Sequence, residues 1–191
     1  GVDYRARPNS VGVAVPVCDV RTIDPDAGVL GTNEIGELEV RGPNIVRGYW
    51  NQPQQTAQTF RDGWLRTGDI ARIDDEGFIY IVDRAKDIVI RGGENVYCAV
   101  VERVLFEHPA VRDAAVIGVP HTTLGEEVGA VVVHWPESTL SEEDIRQQVR
   151  QELAAFNVPT HVWLRDSPLP RNAAGKILKR ELKRELVEQV R

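Results

Sequence analysis

The chain changes character across Ile81-Val82-Asp83-Arg84-Ala85-Lys86-Asp87-Ile88-Val89-Ile90-Arg91-Gly92-Gly93-Glu94-Asn95. Before this stretch, short alternating apolar runs such as 11–20 and 35–40 are separated by clusters of turn residues, which is typical of a small sheet or barrel. After it, helical and strand-length apolar patterns alternate. We therefore expect two units, joined near residues 83–86.

The part after the junction carries the patterns of both helices and strands. Ser141 and Asp144 form a capping box, and the helix that it begins has the buried stripe Ile145, Val149, Leu153 and Phe156. Further helices are predicted over 51–60, 99–107 and 176–190, and strands over 88–90, 114–119, 128–134 and 162–164. The expected fold class is α+β, with a β-rich subdomain at 1–83 shaped as a small distorted barrel. A small α+β domain at 84–191 follows, with a mixed sheet and about three helices.

Composition limits the class of protein. The net charge of −6 argues against nucleic acid as a main partner, because phosphate backbones attract basic surfaces. No run approaches the roughly 20 apolar residues of a membrane span, so no transmembrane segment is expected, and no signal peptide is recognised. Cys18 and Cys98 lack metal-ligand spacing and are expected to be free thiols of a cytoplasmic protein. The chain has no Met and begins at Gly1 in what reads as the middle of a domain, so we expect a segment of a longer protein.

One lysine stands out near the end of the chain. Lys176 lies in the proline-bounded turn Pro168-Leu169-Pro170-Arg171-Asn172-Ala173-Ala174-Gly175-Lys176-Ile177-Leu178-Lys179. Residues 171–191 contain seven basic and three acidic residues, a charge of +4 that leaves −10 for residues 1–170. Most of these charges are interpreted as the solvated face of a helix. A lysine in a glycine-containing turn is usually solvated as well, but its ammonium can also reach into a closed site and neutralise oxyanions on a phosphate or carboxylate.

Two further motifs precede it. Arg66-Thr67-Gly68-Asp69 places a carboxylate directly after a glycine turn, where it either accepts hydrogen bonds from two vicinal ribose hydroxyls or caps its own backbone in an Asx-type turn. Asp83-Arg84-Ala85-Lys86-Asp87 reads either as a polar hairpin turn or as part of a site. Gly92-Gly93 beside it is a place where a ligand chain can approach the backbone closely.

Together, in this order and spacing, the segments resemble the adenylate-forming superfamily. The resemblance covers essentially the whole chain and is strongest to the acyl-CoA synthetases, in particular the bacterial fatty-acyl-CoA ligases of fatty acid and lipid metabolism. The run 64–69 looks like that family's ribose-binding motif, 81–97 like its hinge and thiol-tunnel motif, and 169–178 like its catalytic-lysine motif.

The resemblance implies a role for each matching residue. Asp69 and Arg84 would bind the ATP ribose, and Lys86 would be the hinge about which a small C-terminal domain swivels. Lys176 would bridge the acyl carboxylate and the ATP phosphates during adenylation, and Gly92 and Gly93 would line the pantetheine channel during thioester formation. Residues 1–83 would be the end of the large adenylation domain. Domain alternation follows because the two reactions need different groups at one acyl site.

The resemblance also implies ATP, CoA and Mg²⁺ as cofactors and a carboxylic acid as substrate. The Mg²⁺-binding Glu, the phosphate loop and the acyl pocket belong to the family's N-terminal region, which is absent here, so these residues alone are expected to be inactive and to need their own N-terminal domain as partner. Leu124 stands where Trp is frequent beside the CoA channel. Val158 and Thr160 stand where some relatives carry basic residues for the CoA phosphates.

Three alternatives stay open. A carrier-protein-loading adenylation enzyme usually has an acidic residue at the position of Lys86, and Gly93-Glu94 speaks against a fatty acyl-AMP ligase. From another class, the chain could be a non-catalytic interaction module that retains the fold. The joint presence of Lys176, Asp69 and Arg84 argues against that reading.

Overall fold

The structure is a computed structural model, which describes residues 6–7, 9–26 and 28–187. The chain divides into two compact units between Lys86 and Asp87. The first is built mainly of strands, whereas the second combines a mixed sheet with three helices, so the predicted α+β class is confirmed.

The first unit is a seven-stranded antiparallel sheet. Its strands are β1 (Gly12–Val13), β2 (Asp19–Asp24), β3 (Gly28–Val29), β4 (Gly36–Arg41), β5 (Phe60–Arg61), β6 (Trp64–Ile73) and β7 (Phe78–Arg84), and α1 (Pro53–Thr59) precedes β5. The neighbours run in the order β1-β7-β6-β4-β2-β3, and β5 pairs with β6. Among the described residues no pairing joins β1 to β3, so the barrel that the sequence predicts is open here.

This unit has a small core and, outside it, a row of exposed valines. Leu38, Ala71 and Ile79 are buried together, with Val20, Val40 and Ile73 packed against them. In contrast, the side chains of the alternating residues Val11, Val13, Val15 and Val17 are more than half exposed, at 63%, 54%, 53% and 59%. The alternating pattern of this run therefore does not mark one buried strand, because only residues 12–13 form a strand and residues 16–17 form a turn.

The second unit begins with a short hairpin and continues as a sheet with helices on both faces. Its elements are β8 (Val89–Arg91), β9 (Glu94–Val96), α2 (Cys98–Phe106), β10 (Val111–His121), β11 (Gly125–His134), α3 (Glu142–Glu152), β12 (His161–Arg165) and α4 (Lys179–Val187). β11 is antiparallel to β10 and to β8 and parallel to β12, which makes the sheet mixed as predicted.

Both faces of this sheet are covered, which explains the continuous apolar runs in its strands. Alternate residues of β10 and β11, such as Val116 and Val132, pack on one face with α2 and α3. Their neighbours, such as Ile117 and Val131, pack on the other face, and α4 covers them with two leucines, Leu182 and Leu186. Because side chains alternate with a period of two, each strand supplies both cores.

Apart from shifts of one to three residues at the other element ends, three predictions differ from the structure. The capping box at Ser141 is present, but α3 ends at Glu152, so Leu153 is its C-cap and Phe156 lies in a separate short turn over 155–157. The last helix begins at Lys179 rather than Lys176, and residues 188–190 of that prediction lie outside the described residues. The third difference, at residues 66–69, concerns the site.

Candidate functional site

The segment that holds Asp69 is a bulge within β6 rather than the predicted turn. Glu37 of β4 pairs with Ile70, and Glu39 pairs with Arg66, so three residues of β6 face the single residue Leu38. Gly68 adopts φ = 72°, a conformation that residues with a Cβ rarely take. The physical reason for the difference is that the pairing of β6 continues on both sides of the glycine.

A threonine ties the bulge to the neighbouring strand. The Thr67 hydroxyl donates to the Leu38 carbonyl oxygen at 2.9 Å and accepts from the Asp69 N–H at 3.1 Å. The Asp69 amide is thus bound by Thr67, and its carboxylate is not used in an Asx-type turn. The Asp69 carboxylate therefore lies at the edge of the bulge, and Thr67 holds the Asp69 backbone in place.

Asp69 and Arg84 face each other across β6 and β7. They are cross-strand partners, and Arg84 Nε lies 2.6 Å from Asp69 Oδ1. Their side chains are 25% and 50% exposed, so both remain accessible to a ligand. The structure therefore brings together two of the residues that the sequence singles out, and a partly exposed carboxylate of this kind can accept hydrogen bonds from ribose hydroxyls.

The strand before the bulge is fixed by a network of charges and an aromatic ring. Glu39 is 3% exposed and lies 2.6 Å from Arg21 Nη2 and 3.4 Å from Arg66 Nε. Trp64 is held between two guanidinium groups, with Arg21 Cζ 4.0 Å and Arg41 Cζ 4.4 Å from its ring centroid. Such contacts stabilise the register of β6 and hence the position of the bulge.

The junction between the units contains Lys86. Asp83 at the end of β7 is buried, and its Oδ1 accepts from the Arg84 N–H at 2.7 Å. Residues 85–87 then form a single 3₁₀ turn, and Lys86 in it is exposed. The division of the chain into two compact units falls within this turn.

Gly92 and Gly93 are the two central residues of the hairpin that joins β8 and β9. Their φ angles are 60° and 92°, both positive, as a type I′ turn requires. The Gly92 N–H donates to the Leu124 carbonyl oxygen at 2.8 Å, and a Cβ on Gly92 would lie 3.2 Å from Leu124 Cδ2. Both glycines are exposed, so the backbone of the turn is open to a ligand.

Lys176 is presented by a hydrogen-bonded loop in the second unit. Asn172 binds its backbone twice, since Asn172 Oδ1 accepts from the Lys176 N–H at 2.9 Å and the Asn172 N–H donates to the Lys176 carbonyl oxygen at 2.9 Å. Gly175 adopts φ = 79°, and its N–H closes the turn on the Asn172 carbonyl oxygen at 2.9 Å. This loop explains why the helix starts later than predicted.

The side chain of Lys176 is exposed and makes no hydrogen bond or ion pair with the described residues. Its neighbours in α4 behave differently, because Lys179 lies 2.7 Å from Glu102 and Lys183 lies 2.6 Å from Glu126. The loop therefore holds the backbone of Lys176 tightly and leaves its ammonium available for a ligand.

Sequence reasoning assigned no role to three residues that build these sites, namely Thr67, Asn172 and Arg171. An Asn at the start of a turn that ends in Gly is a recognised turn signature and could have identified Asn172. Thr67 and Arg171 have no comparable local signature, because their partners Leu38 and Asp113 are distant in sequence.

Three further observations concern the described residues. Among the residues that the structure describes, no group of three His, Cys, Asp or Glu side chains is placed to hold a metal ion. No helix of the described segments is both long and apolar enough to cross a membrane. Among these residues, Cys18 and Cys98 are not joined in a disulfide.

Comparison with known proteins gives matches along most of the chain. Residues 1–50 match the family described as AMP-binding enzyme, and residues 100–176 match the AMP-binding enzyme C-terminal domain. The long-chain-fatty-acid–CoA ligase of Bacillus subtilis is 43% identical over 95% of this chain and 32% of its own length. The 2-succinylbenzoate–CoA ligase of Geobacillus kaustophilus is 47% identical over 80% of this chain and 31% of its own length. The chain thus spans about a third of the length of the curated relatives it matches.

Solved structures match in fold as well as in sequence. ATP-bound MatB from Rhodopseudomonas palustris has a TM-score of 0.89 and 39% identity over 96% of this chain and 37% of that chain. The o-succinylbenzoate CoA synthetase of Bacillus subtilis, in complex with its acyl-adenylate intermediate, has a TM-score of 0.84 and 36% identity over 94% of this chain and 36% of that chain.

Proposed function

Because the chain belongs to the AMP-binding enzymes and carries parts of their AMP-binding and C-terminal domains, we propose that its full-length protein is an ATP-dependent acyl-CoA ligase. The reaction joins a carboxylate and ATP to give an acyl-adenylate and pyrophosphate, and then transfers the acyl group to the thiol of CoA. The observation that carries this proposal is Lys176, whose backbone is fixed on both sides while its ammonium has no partner among the described residues.

Lys176 is assigned to adenylation. Attack of a carboxylate on the α-phosphate builds negative charge on the reacting oxygens. An ammonium placed beside these oxygens stabilises the transition state more than it stabilises the ground state. A lysine serves this purpose because it is a compact charge on a long stem.

Asp69 and Arg84 are assigned to the nucleotide. The partly exposed Asp69 carboxylate would accept the two ribose hydroxyls, and Arg84, 2.6 Å from it, would orient the carboxylate and contact the same ligand. ATP fits these residues because its vicinal ribose hydroxyls can donate to a carboxylate that stays 25% exposed beside Arg84.

Gly92, Gly93 and Lys86 are assigned to the second half-reaction. The open type I′ turn lets the pantetheine arm of CoA pass close to the backbone. The exposed 3₁₀ turn at Lys86 supports a hinge, because it lies at the point where the two units meet in sequence. We also propose that residues 1–83 end the adenylation domain and that residues 84–191 form the mobile domain.

The acid is proposed to be a fatty acid. The support is that relatives in Bacillus subtilis and Escherichia coli, at 43% and 41% identity, are long-chain-fatty-acid–CoA ligases. Feruloyl-CoA synthase of Amycolatopsis is 43% identical, however, and makes an aryl acid the second candidate. A panel of fatty and aryl acids should give the highest kcat/KM with a fatty acid, and a higher value with an aryl acid would contradict this part of the proposal.

Mg²⁺, when bound, supplies charge neutralisation on the phosphates, and no described cluster fits it, so its ligands are assigned to the rest of the protein. The partner of these residues is then their own N-terminal domain, and without it we expect them to be inactive. A cytoplasmic location is proposed as well, supported by the two free thiols.

The central test compares the two half-reactions in the full-length protein. Lys176→Ala should lower acid-dependent ATP–pyrophosphate exchange by about 100-fold or more, as expected for the loss of a charge that stabilises the transition state. Thioester formation from supplied acyl-adenylate and CoA should be retained. Arg180→Ala removes a nearby exposed cation and serves as the matched control, with both rates unchanged. An equal loss of both half-reactions in Lys176→Ala would refute the assigned role.

A second comparison concerns the acceptor. CoA should accept the acyl group, and a phosphopantetheinyl carrier protein should not. Preference for the carrier would favour a carrier-loading enzyme, and accumulation of free acyl-adenylate with either acceptor would favour a fatty acyl-AMP ligase. Absence of ATP–pyrophosphate exchange and of acyl transfer to either acceptor would favour a non-catalytic module.

A further inference from the structure

Arg171 connects the Lys176 loop to a strand that is distant in sequence. Its Nη1 donates to the Gly175 carbonyl oxygen at 2.7 Å, and its Nη2 lies 2.7 Å from Asp113 Oδ2. Gly175 directly precedes Lys176 in the chain. One guanidinium group therefore joins the peptide unit in front of Lys176 to the strand β10.

Asp113 is itself held in place. It lies where the pairing of β10 with β11 shifts by one residue, between Val111 and Asp113. Its Oδ1 accepts from the Ala114 N–H at 3.1 Å, while its Oδ2 receives Arg171. The side chain is 17% exposed, so both oxygens of a mostly buried carboxylate have a partner.

The exposure of Arg171 indicates how much its ion pair with Asp113 contributes to stability. The Arg171 side chain is 42% exposed, and ion pairs at that exposure contribute little to stability. The position of a catalytic group is far more sensitive, because a displacement of about 1 Å can lower a rate by about 100-fold. A contact that stabilises the fold weakly can thus affect the rate strongly.

We propose that Arg171 and Asp113 are positioning residues that fix the Lys176 loop for adenylation. This inference rests on the proposed function of Lys176 and deepens it. Arg171 acts through the Gly175 carbonyl oxygen and Asp113 acts through Arg171, whereas Asn172 closes the loop internally. Neither residue is required by the second half-reaction, in which Lys176 takes no part.

The test uses the full-length protein and substitutes each residue without changing its size greatly. Arg171→Met should lower ATP–pyrophosphate exchange by about 10- to 100-fold, and Asp113→Asn should lower it by a smaller factor because Arg171 can still reach Gly175. Thioester formation from supplied acyl-adenylate should change by less than about 2-fold, since a positioning role for Lys176 is confined to adenylation. Arg171→Lys keeps the charge but not the two-pronged geometry, so it should fall between the wild type and Arg171→Met.

Arg146→Met is the matched control. Arg146 also links a carboxylate, Glu142 at 2.8 Å, to loop carbonyl oxygens, those of Pro159 at 3.2 Å and Thr160 at 3.1 Å, and it does not contact the Lys176 loop. Its substitution should leave the exchange rate unchanged while lowering Tm at least as much as Arg171→Met.

Two outcomes overturn the inference. Unchanged exchange in Arg171→Met shows that the loop is positioned without this contact, and a parallel loss of both half-reactions shows a general structural role. Failure of the proposed function is distinguishable from either, because Lys176→Ala would then retain exchange as well.

Discussion

At the scale of single residues, the sequence identified the side chains proposed to bind ligands but not the residues that support them. Asp69, Arg84 and Lys176 lie in compact motifs, and two of them meet across neighbouring strands at 2.6 Å. Thr67 was missed because its function depends on Leu38, which reaches it only through the pairing of β4 with β6. The local sequence at residues 66–69 fits a glycine turn as well as a bulge. Only the pairing of β6 with β4 on both sides of the glycine makes it a bulge.

Thr67→Val tests the support of the bulge. The substitution keeps the shape of the side chain but removes the donor to Leu38 and the acceptor for the Asp69 N–H. We expect the free energy of unfolding to fall by about 1–3 kcal/mol, since each net hydrogen bond contributes about 1 kcal/mol and a partly buried group is left unpaired. Chemical denaturation measures this change.

Thr67→Ser retains the hydroxyl and should restore most of the lost stability. Thr32→Val, at an exposed turn position in the same unit, is the control and should have almost no effect. Destabilisation by Thr67→Ser as large as that by Thr67→Val would mean that the hydroxyl alone does not support the bulge, because serine retains it.

At the scale of elements, the predicted cap of one helix is confirmed and the predicted start of another is wrong. The capping box at Ser141 and Asp144 is present as predicted. The start of α4 was predicted three residues early, because Asn172 takes up the backbone groups of Lys176. That competition between a side chain and the helix is invisible to apolar periodicity.

The capping box makes a prediction about pH. The hydrogen bond from the Ser141 hydroxyl is the largest cause that lowers the pKa of Asp144, and the Ser141 N–H adds to it. A carboxyl whose pKa is lowered by folding stabilises the protein above its unfolded pKa, and this contribution is lost as the pH falls through the folded pKa. Ser141→Ala should therefore destabilise more at pH 7 than at pH 3.

Thermal unfolding of the wild type and Ser141→Ala at both pH values measures this difference. Ser167→Ala, at an exposed position outside any helix, is the control and should have a small effect independent of pH. An effect of Ser141→Ala that is constant between the two pH values would mean that Asp144 is not linked to the cap.

At the scale of the whole molecule, the sequence predicts a β-rich part followed by a mixed part, because the periodicity of the apolar residues changes along the chain. The sequence predicted a junction near residues 83–86, and the contacts divide the chain between Lys86 and Asp87. The pairing order of the first sheet could not be predicted from the sequence. β4 lies between β2 and β6 in the sheet, and the segments that connect these strands carry no sequence pattern that specifies this order. The presence of a core on each face of the second sheet was partly predictable from the uninterrupted apolar runs of its strands.

Limited proteolysis tests the junction. Trypsin should cleave first after Lys86, because this residue is exposed in a short turn, whereas Arg84 lies in β7 and is paired with Asp69. A fragment that begins at Asp87 is expected, and N-terminal sequencing or mass spectrometry identifies it. Lys86→Gln should slow the cut. First cleavage inside β6 or β10 instead would show that the junction is not the most accessible segment.

The row of valines at positions 11, 13, 15 and 17 has a practical consequence. These side chains are more than half exposed, and next to them β1 pairs with β7 alone among the described residues. An apolar row beside an unpaired strand edge promotes association between copies. Laboratory preparation of these 191 residues by themselves therefore calls for solubility safeguards, such as a hydrophilic fusion partner or threonine replacements along the row, before any biophysical measurement is interpreted.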